Sequence, residues 1–154
     1  MDDIMFGIRY RQRRYPKVFA LDGQIVLDAG FHTLLKRLWT DDMEPDMQLM
    51  EYTRGARPAA HGEHWLYAKH IYFPVCCSNG HWILLVVDVV GLTIRVYDSF
   101  VETLFDYQLV GIMEPYVKMI PKMLHRSLSG LDQNLDVYLH DFSFERVAGV
   151  PQVK

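Results

Sequence analysis

The chain has 154 residues and a formal net charge of −3, with half of its residues hydrophobic and 13% aromatic. That length fits one domain or a large part of one, and the apolar share is enough for a core, which excludes a disordered chain. The mild negative charge offers no broad nucleic-acid footprint, and the longest apolar runs fall far below the ~20 residues of a membrane helix.

The only cysteines are Cys76 and Cys77. Neighbouring cysteines rarely bridge each other, because a disulfide needs separated backbones. A disulfide framework is therefore excluded, and a reducing, intracellular setting in nucleus or cytoplasm is expected. The start, Met1-Asp2-Asp3, lacks the basic-then-apolar order of a secretory signal.

In chain order, Tyr10 to Lys17 is a basic run between aromatic residues. It reads as a solvated edge or helix face, since no groove-reading motif follows it. Leu21-Asp22-Gly23 reads as a turn. Asp28 is a good N-cap for a helix over Ala29–Trp39, whose Phe31, Leu34, Leu35 and Leu38 fall on one helical stripe. Glu44–Tyr52 is expected as a short second helix with Pro45 in its first turn, and Met43, Met47 and Met50 as gap-filling packing. Thr53 to Gly62 reads as a loop.

His70 to Ser99 is the stretch around which the rest is organised. It predicts three strands, His70–Cys76, Trp82–Val87 and Leu92–Tyr97, joined by turns at Cys77-Ser78-Asn79-Gly80 and Asp88–Gly91. Trp82 to Val87 is a continuous apolar run, as expected of a strand buried on both faces. If the second loop is even and centred between Val89 and Val90, His81 sits directly opposite Asp98. Directly opposed residues lie ~4.5–5.5 Å apart at Cβ on one face. An odd loop would put the two on opposite faces. Such an imidazole–carboxylate pair fixes a His tautomer and steadies its protonated form. Each residue also has a plainer reading: His81 as a polar residue leaving a turn, Asp98-Ser99 as the N-cap region of the next helix.

Beyond Ser99 the apolar period becomes helical, through Leu109, Ile112, Met113, Tyr116, Val117, Ile120 and Leu124. Pro115 and Pro121 lie inside this run, so a kink or two shorter helices are expected, packed across the sheet. Ser127 to Asp136 reads as a loop and Tyr138–Val147 as a further strand. His61, His64, His70 and His81, with the two cysteines, raise a zinc question. No Cys-x-x-Cys occurs, and adjacent cysteines on one strand point apart, so neither a metal nor another cofactor is expected.

The stretch His81-Trp82-Ile83-Leu84, an Asp at the strand end, and Ile94-Arg95-Val96-Tyr97-Asp98-Ser99 resemble the SUMO/ubiquitin-like-modifier cysteine proteases, especially their large plant branch. Tyr72-Phe73-Pro74-Val75 matches the strand before the catalytic His of that family. The resemblance is plainest over residues 64–99 and returns at Val150-Pro151-Gln152. It implies an α+β, papain-like or adenain-like core with a mostly antiparallel central sheet flanked by helices. It implies a single, partial protease domain over residues 1–154 that processes or deconjugates a ubiquitin-like modifier. It also implies His81 as general base, Asp98 as its orienter, Gln152 as oxyanion donor and Trp82 as a wall of the channel for a diglycine tail. In that family an Asp-Cys-Gly carrying the nucleophile follows the Gln. The sequence stops at Lys154, so the expectation is a C-terminally incomplete fold with little or no peptidase activity. Cys76 and Cys77 precede His81 and read as small core residues. The alternative is a non-catalytic modifier-binding module or a degenerate mobile-element remnant.

Overall fold

In the computed structural model, residues 1–16, 22–59, 62–131 and 134–153 are described; Lys17, Leu21 and His61 lie outside them. One mixed sheet runs in the order β1 (Gln24–Val26), β2 (His70–Cys76), β3 (Trp82–Asp88), β4 (Thr93–Tyr97), β5 (Ser143–Arg146). The centre, β2–β3–β4, is antiparallel, as the sequence leads one to expect. Both outer pairs, β1 with β2 and β4 with β5, are parallel.

Among the described residues four α-helices accompany the sheet: α1 (Asp2–Arg14), α2 (Ala29–Leu38), α3 (Met47–Thr53) and α4 (Asp106–Leu128). The Asp28 side chain caps α2 by accepting from Phe31 N. Asp46 caps α3 in the same way, so that helix begins at Met47 and Pro45 lies ahead of it. Met50 is buried, whereas Met47 is 75% exposed and fills no gap. The basic run up to Arg14 belongs to α1, a helix whose early turns the charge pattern did not announce.

The core lies between one sheet face and the helices. Ile71, Phe73, Val75, Ile83, Leu85, Val87, Ile94 and Val96 form that face, all buried. Phe31 of α2 and Tyr116 of α4 both meet Phe73, at ring centroids of 4.9 and 5.4 Å. The opposite face is only half-covered: Trp82 and Leu84 are half-buried, so β3 is not sealed on both sides. Its apolar run is explained by α1, where Met5 and Ile8 share an apolar hollow with Val26, Tyr72 and Leu84.

α4 is one continuous helix despite Pro115 and Pro121. A proline lacks the amide that would bond four residues back. At Pro121 the freed carbonyl is that of Val117, and it accepts instead from Phe142 N at 2.9 Å. The chain after α4 thus supplies the missing donor. The expected strand from Tyr138 shortens to Ser143–Arg146, because Asp136–Leu139 forms a 3-10 turn that returns the chain to α4.

Candidate active site

The turn after β2 brings the chain back on itself through Cys77 N to His81 O at 2.7 Å. Gly80 sits at φ +75, a left-handed position that suits glycine. His81 follows immediately and leads into β3. The observed β3–β4 register pairs Leu84 with Tyr97 and Asp88 with Thr93. The loop is therefore centred between Val90 and Gly91, one step later than Val89 and Val90. His81 and Asp98 are diagonal neighbours, not directly opposed. The shift moves the pairing by two residues, and a two-residue shift preserves the face. The strand alternation that buries Ile83 and Val96 places both groups toward the core.

There they meet. His81 Nε2 lies 2.8 Å from Asp98 Oδ1, with side-chain exposures of 13% and 0%. Asp98 Oδ1 also accepts from Phe100 N at 2.9 Å, which fixes the carboxylate against its own loop. An ionised carboxylate accepts only, so the facing nitrogen carries the proton. Nδ1 is then the nitrogen able to take one. Phe100 stands edge-on to the imidazole at 6.1 Å between centroids.

His81 opens into a cleft of about 420 Å³, lined also by Gly80, Trp82, Ser99, Phe100 and Thr103. Trp82 is half-buried at this cleft. Gln152 reaches the same end of the sheet from the segment after β5. Its amide donates to Asp98 O at 3.0 Å and to Val150 O at 2.9 Å, and its carbonyl accepts from Val101 N at 3.0 Å. Val153 N donates to Ser99 O at 2.8 Å, so the segment runs on beside the end of β4.

The two cysteines face elsewhere. Both line a separate cavity of about 460 Å³ with His32, Lys36 and Tyr116. Cys77 lies beyond the end of β2, which is why the two thiols share one cavity in spite of being adjacent. Cys76 Sγ is 3.5 Å from Cys77 O. Burial, reinforced by Asp98 and Cys76, pushes the Cys77 thiol up to about 11. Among the described residues neither thiol is hydrogen-bonded to His81, and no cluster of three or more His, Cys, Asp or Glu is arranged to hold a metal ion. No helix among them is long and apolar enough to cross a membrane.

The sequence matches the model of the Ulp1 protease family, C-terminal catalytic domain, over residues 25–154. The chain belongs to that family. No curated protein matches the sequence. The fold is similar to that of the SUMO protease Ulp1 with its catalytic cysteine oxidised to a sulfonic acid, at TM-score 0.59 and 15% identity, covering 99% of this chain and 57% of that one. It is similar to the C-terminal Ulp1 protease domain in complex with Smt3, the yeast ortholog of SUMO, at TM-score 0.56 and 16% identity, covering 99% and 56%. A Chaetomium thermophilum Ulp1-like SUMO protease catalytic domain matches at TM-score 0.52 and 15% identity, covering 97% and 55%. At such identities the likeness is one of fold, and this Ulp1-family chain spans little more than half the length of the solved structures it matches, 57% of the first. Arg146, which stands beside Asp98, went unnoticed in the sequence. No local sequence signal marks it, because its place beside Asp98 depends on the parallel pairing of β5 with β4.

Proposed function

We propose that this chain processes or deconjugates a ubiquitin-like modifier of the SUMO type, in an intracellular setting of nucleus or cytoplasm. The observation that carries the reading is the 2.8 Å contact of His81 Nε2 with buried Asp98 at the mouth of a cleft. His81 is the general base and acid, working through Nδ1. Asp98 holds its tautomer and stabilises the imidazolium once a proton arrives. Trp82 is a wall of the channel that takes the diglycine tail. Gln152 is the oxyanion donor, and both its amide hydrogens are engaged with backbone carbonyls, so donation requires one of those bonds to open. The nucleophile this chemistry needs is a thiol within hydrogen-bond reach of Nδ1. Neither Cys76 nor Cys77 supplies it.

The test separates tail binding from cleavage. Calorimetry should show the chain binding a SUMO-type modifier that ends in Gly-Gly, and binding a tailless version more weakly. Trp82→Ala should weaken the first complex by ~30-fold, the scale of a buried tryptophan anchor, and leave the second nearly unchanged. The chain alone should not cleave a modifier precursor. A version continued through an Asp-Cys-Gly segment should cleave it, and His81→Ala should abolish that activity. Equal affinity for both modifiers, or cleavage by the chain alone that is lost on replacing Cys76 or Cys77, overturns the reading.

A further inference from the structure

The Asp98 carboxylate is satisfied on one side only. Oδ1 takes two donors, His81 Nε2 and Phe100 N. Oδ2 is buried and accepts no hydrogen bond among the described residues. A buried carboxylate oxygen left this way is costly unless a cation stands near it. The cation is Arg146, whose Nη2 lies 3.8 Å from Oδ2.

The placement follows from the sheet. β5 runs parallel to β4 with Val96 paired to Arg146, so Arg146 shares the face of Val96 and hence of Asp98. Its guanidinium is itself held. Nη2 donates to Leu104 O at 2.7 Å, and Nη1 lies 3.6 Å from Asp106. Its Nε is buried with no partner of its own. Two incompletely satisfied groups of opposite charge thus face each other behind the imidazole.

We propose that Arg146 is a positioning residue for the His81–Asp98 couple. Its charge stands opposite Oδ2, and its fixed fork holds that oxygen inward. A carboxylate turns readily about its last torsion, which is broad and two-fold. With Oδ2 anchored toward Arg146, Oδ1 stays aimed at His81 Nε2. The inference rests on His81 being the base. The competing role is purely structural: Arg146 ties β5 to the start of α4 through Leu104 and Asp106, a task that does not need the charge of Asp98.

Two measurements on the whole chain separate these roles without any cleavage assay. The first is the neutral imidazole tautomer of His81, read from long-range ¹H–¹⁵N spectra and assigned by its loss in His81→Gln. The native chain should show the proton on Nε2. Arg146→Met should give a mixture of tautomers, and Arg146→Lys should retain the native one. The second is a stability cycle in urea. Arg146→Met should lower the folding constant at least about tenfold more in the native background than in the Asp98→Asn background, the coupling expected of a buried charge pair. If Arg146→Met alone does not fold, adding Asp98→Asn should restore a folded chain. An unchanged tautomer in Arg146→Met, additive losses in the cycle, or failure of Asp98→Asn to rescue overturns the assignment to Arg146. A native chain without the Nε2 proton overturns the base assignment of His81 itself, and the role of Arg146 with it.

Discussion

Cys77 is one of the two thiols in the sequence, and its chemistry can be put to a quantitative test. Cys77 is 7% exposed, and burial lifts its thiol from an ordinary 9.0 to about 11, with Asp98 and Cys76 adding to the effect and Lys36 opposing it. Only the thiolate attacks, and its share falls tenfold for each step by which the pKa rises above the pH. At pH 7.5 Cys77 should therefore hold ~100-fold less thiolate than an ordinary cysteine. Its iodoacetamide alkylation, followed peptide by peptide with mass spectrometry, should run at least ~100-fold slower than that of free cysteine, since burial also hinders access. The logarithm of the rate should climb by one decade per pH step from 7 to 10 without a plateau. His81→Gln should leave the profile unchanged, because the two side chains share no hydrogen bond. A plateau below pH 9, or a rate that depends on His81, would refute the reasoning and make Cys77 a serious nucleophile.

Three further outcomes can be checked on the same protein. The raised Cys77 pKa means the folded chain keeps this proton longer than the unfolded one, so its stabilising contribution is complete below pH ~9 and lost as pH rises toward 11. Cys77→Ala should flatten that alkaline decline, which urea midpoints would register as a difference on the order of 2–3 kcal/mol. His32 shows the opposite sign: burial, then Lys36, holds its imidazole below 6.5, against the pull of the Cys76 carbonyl. The contribution of neutral His32 is present above pH 6.5 and lost as pH falls through the lower folded value, so urea midpoints of the native chain should drop more steeply in acid than those of His32→Gln. Phe31 is fully buried and meets Tyr52 at 5.0 Å, Trp65 at 6.2 Å and Phe73 at 4.9 Å between ring centroids. Phe31→Ala should cost ~3–5 kcal/mol in calorimetric or urea unfolding, and a loss near 1 kcal/mol would mean that the site collapses around the cavity.

The central hairpins were legible because their signals are local. β-branched runs, Asn-Gly and the Asp28 cap act within a few residues of one another, and the structure places β2, β4 and α2 within a residue of expectation. The parallel outer strands were not legible. Gln24–Val26 spans three residues and acquires its strand character only by lying beside β2, which begins more than forty residues later in the chain. The unbroken course of α4 was hidden for the same reason, since the donor that satisfies Val117 comes from Phe142. The His81–Asp98 couple was legible in parity and not in register. The Asp88 side chain accepts from Gly91 N at 2.8 Å and Leu92 takes φ 55, which moves the turn one step along. A one-residue slip in the pairing would have separated the two groups.

The gathering of these residues follows from the direction of the strands. β3 starts where antiparallel β4 ends, so His81, just before β3, and Asp98, just after β4, meet at one end of the sheet. β5 runs parallel to β4 and finishes at that same end, so the segment after it brings Gln152 against the Asp98 carbonyl. The alternation that buries Val96 and Ile83 also turns Asp98 inward, and this makes its carboxylate a buried charge. A carboxylate at the exposed tip of a hairpin could rely on water for its second oxygen. Asp98 is closed off from bulk solvent, and the strand that carries the chain toward Gln152 brings Arg146 to within 3.8 Å of that oxygen on the way. The topology that brings His81 and Asp98 together is therefore also the topology that sets a countercharge beside them.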